Sequence, residues 1–271
     1  MSGPVALDAG LLAEFNPLEP SQSVPIFTVP FGPWNLSLSN HMFMVGVAVI
    51  LLIVAIPLAA KPRIMIPRGL QNVVELICVF LREEVARPIM REQTDRYIGF
   101  VWTVFFFVLS LNLLAMVPSE KIVTLLTGKQ SHFGGPPTAN IWVTGALATV
   151  TFFTVHICGI KRQGLRHYLV NLAPRAPWWI MPLLYVMEII TAFVRPLTLA
   201  VRLFANIVAG HILVATFLGL ILIFKNYGVA AASVLAVVAV SFLELLVAFI
   251  QAFIFTFLSA LYISFSVSPE H

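Results

Sequence analysis

Charge is what this chain has least of. Lys, Arg, Asp and Glu make up 10% of its residues, whereas a soluble domain carries about 25%. No Lys or Arg precedes Lys61. Cysteine is nearly absent: Cys78 and Cys158 stand alone beside or within apolar segments, without CxxC or metal-ligand spacing, which argues against a disulfide framework or a metal site. No GxxxxGK[ST] occurs, and TLLTGK, ending at Lys129, does not qualify. Nucleotide chemistry is therefore expected on another subunit, if anywhere. The N-terminal segment lacks a basic stretch followed by an apolar core, so no cleavable signal peptide is expected. The formal net charge of +4 does not point to nucleic acid, because the basic residues fall in short loops, where they report membrane orientation. No internal repeat is visible.

Apolar residues are what is abundant, at 59% of the chain. A membrane-crossing helix needs about 20 of them in a row, and five segments qualify: about 41–60, 98–117, 139–160, 185–224 and 229–267. The last two exceed one crossing, so they must tilt or break. Pro196 is expected to bend the fourth. The fold class is an all-α integral membrane protein. Residues 1–40 form an outer N-terminal segment and 41–271 a single membrane domain.

Orientation follows from the loops. Lys61, Arg63, Arg68, Arg82, Arg87, Arg91 and Arg96 crowd one connection, and Lys161, Arg162, Arg166 and Arg175 another. The N-terminus holds only Asp8, Glu14 and Glu19, and the remaining loops only Lys121, Lys129 and Lys225. The positive-inside rule places both rich loops inside, the N-terminus outside and the C-terminus inside. Residues 67–87 read as an amphipathic surface helix. Pro67 suits a first turn, Leu70, Val73, Val74, Ile77, Leu81 and Val85 make an apolar stripe, and Pro88 is expected to end it. Such a helix anchors the chain in the interface or offers a docking platform. The Gly/Pro-rich stretch 127–138 reads as an exposed outer loop.

Polar residues concentrate in the last two spans. Arg202 lies deep in apolar sequence, where a charge costs about 2.5–3.5 kcal/mol, so it marks a functional site. Guanidinium stays protonated and cannot relay a proton by titrating. Glu188, Arg195 and Arg202 are spaced by seven and share a helix face, which Asn206 extends. Glu244 and Gln251 share a face on the last span. Short connections make neighbouring helices antiparallel. One register then sets Arg202 level with Gln251 near mid-membrane and His211 level with Glu244 toward the outer side. A His–Glu pair can carry protons, because imidazole titrates near neutrality and burial raises a carboxylate toward it. Blander readings stand beside these. A buried histidine is more often a hydrogen-bonded core residue, Arg195 can snorkel to the surface, and Glu188 can cap Arg195. Gly46, Gly145, Gly210 and Gly219 read as helix-packing positions.

The stretches PLTLAVRLFANIVAGHILVA and FLELLVAFIQAFIFTFLSALYISFSV, with FVLSLNLLAMVPSE and HFGGPPTANIWVTGALA upstream, resemble subunit a of rotary ATP synthases. The resemblance runs from about residue 34 and is strongest from Glu188 onward. It implies a stator beside a ring of c subunits, with two proton half-channels leading to the ring carboxylate. It makes Arg202 the essential arginine with Gln251 close to it. His211, Glu244 and Asn206 then belong to the outer half-channel, with Asn112 and Glu120 at polar positions near that route, and Glu188 to the inner one. At Ala115 some members carry an aspartate, so that part of the outer route differs here. The family's last two helices lie tilted against the ring, and its amphipathic second helix, here 67–87, sits near the peripheral stalk. No catalytic site, cofactor, nucleotide or nucleic acid is expected on the chain itself; its partners are the c-ring, the peripheral stalk and the bilayer. The acidic N-terminus without a transit-like segment points to a bacterial plasma membrane rather than a mitochondrial one. A secondary ion transporter with a central Arg/Glu/His site is the alternative, but such proteins show two repeats with broken helices, and here the polar load sits at one end. A haem- or quinone-binding subunit would need paired histidines on facing spans, and His41, His156 and His211 form no obvious pair.

Overall fold

A computed structural model describes residues 24–31, 34–59, 69–128, 134–170 and 177–267. The calls on residues 1–23, on Pro67 and Arg68, on Lys61, Arg63, Lys129 and Arg175, and on residues 129–133 lie outside these. Among the described residues, five helices are long and apolar enough to cross a membrane, and the architecture there is all-α apart from one hairpin. That hairpin pairs β1 (Pro25–Phe31) with β2 (Trp34–Ser39), antiparallel. It was not expected from the sequence.

Ser39 ends β2 and starts the first helix, α1 (Asn40–Ala59): its Oγ accepts from the Met42 amide at 3.4 Å, the geometry of an N-cap. Asn40 Oδ1 accepts from the amides of His41 (3.0 Å) and Val24 (3.2 Å), tying the hairpin to the helix.

The surface helix differs from its expectation. The helical path runs as α2 (Leu70–Phe80), a π turn (Leu81–Ala86) and α3 (Arg87–Met90), straight past Pro88. The π turn makes this possible. The Arg87 amide reaches back to the Arg82 carbonyl, and Pro88, next in line, sits in a first turn where its missing N–H costs nothing. The widened turn also re-aims the chain, so that Leu81, Val85, Ala86 and Met90 are all buried. The break comes at Arg91, whose φ of 49° and ψ of −119° are strained for a residue with a Cβ. After a short 3₁₀ turn, α4 (Thr94–Met116) begins. Trp102 Nε1 donates to the Cys78 carbonyl at 3.0 Å, binding α4 to α2. Leu70, Val73, Leu76 and Val79 stay exposed, so only the C-terminal part of the expected stripe is buried.

A short helix, α5 (Ser119–Thr127), follows where loop sequence begins. Next come α6 (Ile141–Gln163) and α7 (Leu165–Val170). Lys161 and Arg162 occupy the last turn of α6, where cations favour the helix dipole. Gly164, with φ 79°, closes it as a left-handed cap. The last two helices, α8 (Met181–Phe224) and α9 (Tyr227–Val267), are the longest, and α8 continues through Pro196. Lys225 and Asn226 join them; Lys225 turns the chain at φ 45° and Asn226 Oδ1 accepts from the Gly228 amide. Only 17% of the most apolar window of α8 and 11% of that of α9 is buried. So much exposed apolar surface suits lipid or a partner, not water.

The chain forms two compact units. One takes the described residues of Met1–Val45, Asn112–Asn140 and Phe204–Ala248; the other takes those of Gly46–Leu111, Ile141–Leu203 and Phe249–His271. The first has a small core of Ala115, Ala139 and Ile207. The second packs Ala86, Met90, Ile98, Val101, Val155, Ala260, Ile263 and Val267.

Candidate functional site

The first unit gathers Asn112, Glu120, Asn206, His211 and Glu244. Gly210 lets α9 approach α8 closely: a Cβ there would fall 2.7 Å from Glu244 Cδ and 3.0 Å from Cγ. The Glu244 carboxylate thus lies against the backbone one residue before His211. His211 Nε2 meets the Ala115 carbonyl at 3.2 Å. A carbonyl only accepts, so Nε2 carries a proton. Ala115, which has no side-chain acceptor, offers its main chain here. Asn112 is fully buried, its Nδ2 donating to the Ala248 carbonyl at 3.3 Å while Oδ1 has no partner among the described residues. Asn206 is half-buried. Glu120 is placed by its backbone alone, in the first turn of α5.

Two residues that sequence reasoning passed over share this unit. His41 is completely buried, with Nδ1 3.0 Å from the Pro136 carbonyl, and Thr138 is buried with its hydroxyl unpartnered. Their sequence signal was weak, because both sit at helix entries, where polar residues are ordinary.

The second unit holds Arg202, Gln251, Glu188 and Arg195. Arg202 is exposed in mid-helix, and among the described residues its guanidinium makes no ion pair or hydrogen bond. Gln251 is 3% exposed, with Nε2 unpartnered. Arg195 does not reach away to a surface: it pairs with Glu188 at 3.3 Å and covers the Tyr262 ring at 5.0 Å. Glu188 therefore meets Arg195, the blander of its two expected contacts.

Beside this pair lies a polar cluster that spacing alone did not reveal. Tyr168 Oη is 3.2 Å from His156 Nδ1, and its ring edge and Ser266 converge on Gly159. Gly159 makes room for them: a Cβ there would meet Tyr168 Cδ2 at 2.9 Å and Ser266 Cβ at 3.1 Å. Burial pushes the Tyr168 phenol above its ordinary value; the neighbouring Ser266 hydroxyl opposes this and the Glu188 charge adds to it. The His156 ring packs on Phe152 at 4.0 Å, and Phe152 stacks on Phe193 at 5.4 Å.

A family model described as ATP synthase A chain matches residues 41–264. A protein of Myxococcus xanthus (strain DK1622) described as ATP synthase subunit a is 37% identical over 244 residues, covering 89% of this chain and 76% of that protein. One of the same description from Chloroherpeton thalassium (strain ATCC 35110 / GB-78) is 34% identical over 262 residues, 95% of this chain and 74% of the relative. Another, from Anaeromyxobacter sp. (strain Fw109-5), is 35% identical over 245 residues, 89% of this chain but 57% of its own length.

Proposed function

Because the chain belongs to the ATP synthase A chain family, we propose that it is the membrane stator that delivers protons to a c-ring through two half-channels. Its five apolar helices and bacterial relatives make it a multi-pass bacterial membrane protein. Two points go further: the Lys/Arg-rich loops face the cytoplasm, and the ATP chemistry belongs to a soluble head.

One observation carries this reading: Arg202, a permanent cation, is exposed in the middle of a 44-residue apolar helix and has no partner among the described residues. Such a charge needs a counter-charge from outside the chain. A ring carboxylate supplies it. That carboxylate must be neutral to face lipid, because a lone charge in hydrocarbon is prohibitive. As it reaches Arg202 the opposite charge favours its ionised form, and the proton leaves. Glu188 marks the inner exit. The outer entry runs by Glu120, Asn112, His211, Glu244 and Asn206, and the division of these residues between the two compact units supports two separate routes. Arg202 also repels a proton attempting to cross without turning the ring. Each 100 mV of potential drives the passage with about 2.3 kcal/mol per charge. The exposed Leu70, Val73, Leu76 and Val79 offer α2 to the peripheral stalk.

The test is purification of the assembled complex carrying Arg202→Cys, followed by cross-linking. An oligomeric ring of small hairpin subunits should co-purify, and position 202 should cross-link to it. Cross-linking to lipid alone would contradict the reading.

A further inference from the structure

We propose that Ser266, Tyr168 and His156 form a proton wire that serves the Glu188–Arg195 pair from the end of the chain that bears the Lys/Arg-rich loops. The inference rests on the proton-delivering role proposed above and adds residues to its inner route. Ser266 lies in the last turn of α9, Tyr168 on α7, and His156 two turns inside α6. Glycine at 159 is what allows the Tyr168 ring to slot between α6 and Ser266.

The direction of the hydrogen bonds fits transfer. Tyr168 stays a phenol, because burial raises it, and so it has a proton to offer to His156 Nδ1. Its oxygen can in turn accept from the Ser266 hydroxyl. A proton arriving at Ser266 Oγ releases the serine proton to Tyr168 Oη, which releases its own to His156 Nδ1. The ring becomes imidazolium and gives up its Nε2 proton toward the acidic pair. Each oxygen ends with the number of protons it began with; the hydroxyls reset by rotating, and the imidazole, left with its proton on Nδ1, resets by a ring flip that exchanges its two nitrogens. Arg195, the cation of the adjoining pair, bears on the His156 ring. Glu188, whose charge reaches Tyr168, is the acceptor on the far side. The other charges on the His156 helix, Lys161 and Arg162, are exposed at its end. Phe152 packs on the His156 ring and Phe193 on Phe152, giving the ring an apolar side.

The experiment uses the whole complex in vesicles, with ATP-driven pumping measured at a series of pH values on the proton-uptake side. Tyr168→Phe keeps the ring and its packing and removes only the hydroxyl. It should slow pumping about tenfold, less than the roughly hundredfold that a positioned proton donor can contribute, because water shares the route. His156→Gln should slow it as much and change the pH dependence of pumping, an effect that a packing role would not produce. The double variant should be no slower than the poorer single. Normal pumping by assembled Tyr168→Phe complexes, or losses that multiply in the double variant, would overturn the wire. Arg202→Ala in the same vesicles separates the two claims: if it pumps normally, the proposed function itself fails. If it is inactive while both wire variants pump normally, the wire alone fails.

Discussion

Glu188 and Arg195 lie two helical turns apart, and their long side chains close that gap to 3.3 Å with Tyr262 beneath the guanidinium. Removing one partner of such a pair leaves an uncompensated charge. Arg195→Lys retains the charge and should keep most ATP synthesis, whereas Arg195→Ala should lose much of it. Equal loss in the two variants, measured as gradient-driven synthesis, would show that the planar fork and not the charge is what matters. The outer pair gives a second prediction. His211 meets a main-chain carbonyl and Glu244 lies against Gly210. If the two handle one proton, His211→Ala and Glu244→Ala should each slow flux strongly, and the double change should be little worse than the poorer single, since coupled residues are not additive. Strictly additive losses in vesicle flux assays would separate them. At this scale the sequence was most informative where burial is costly. A charge in an apolar run announces itself, so Arg202, Glu188 and Glu244 stood out as candidates. His156, Tyr168 and Ser266 did not, because their meaning lies in contacts among three different elements.

At the scale of elements, hydrophobic length located the spans well, because about 20 apolar residues in a row have few other uses. Local breakers misled. Pro88 read as a terminator, yet the π turn before it absorbs the missing hydrogen bond, and the chain bends at Arg91 instead. A π turn has no sequence signature in periodicity, so this could not be foreseen. The strained Arg91 makes a prediction. Glycine is at ease at φ 49°, and a residue with a Cβ pays about 1–3 kcal/mol there. Arg91→Gly should raise the thermal midpoint of the detergent-solubilised protein. A lowered midpoint would mean that the exposed arginine makes a compensating contact in the assembly. The β1–β2 hairpin was likewise hidden: its strands are short, and an apolar segment next to a membrane span does not reveal whether it is extended.

For the whole molecule, composition settled the class, since it is a sum over many residues and tolerates local error. The division into two compact units was not legible, because each draws on three separate stretches of chain. The central claim is that Arg202 is the fixed charge past which every ring carboxylate must move. It is tested most directly by ATP synthesis in vesicles containing the complete complex with Arg202→Ala, energised by an imposed proton gradient. The account predicts that synthesis disappears while ATP hydrolysis by the detached soluble head persists, and that Arg202→Lys does not restore synthesis, because lysine lacks the planar fork and can lose its proton when buried. Full coupled synthesis by the Arg202→Ala complex would contradict it.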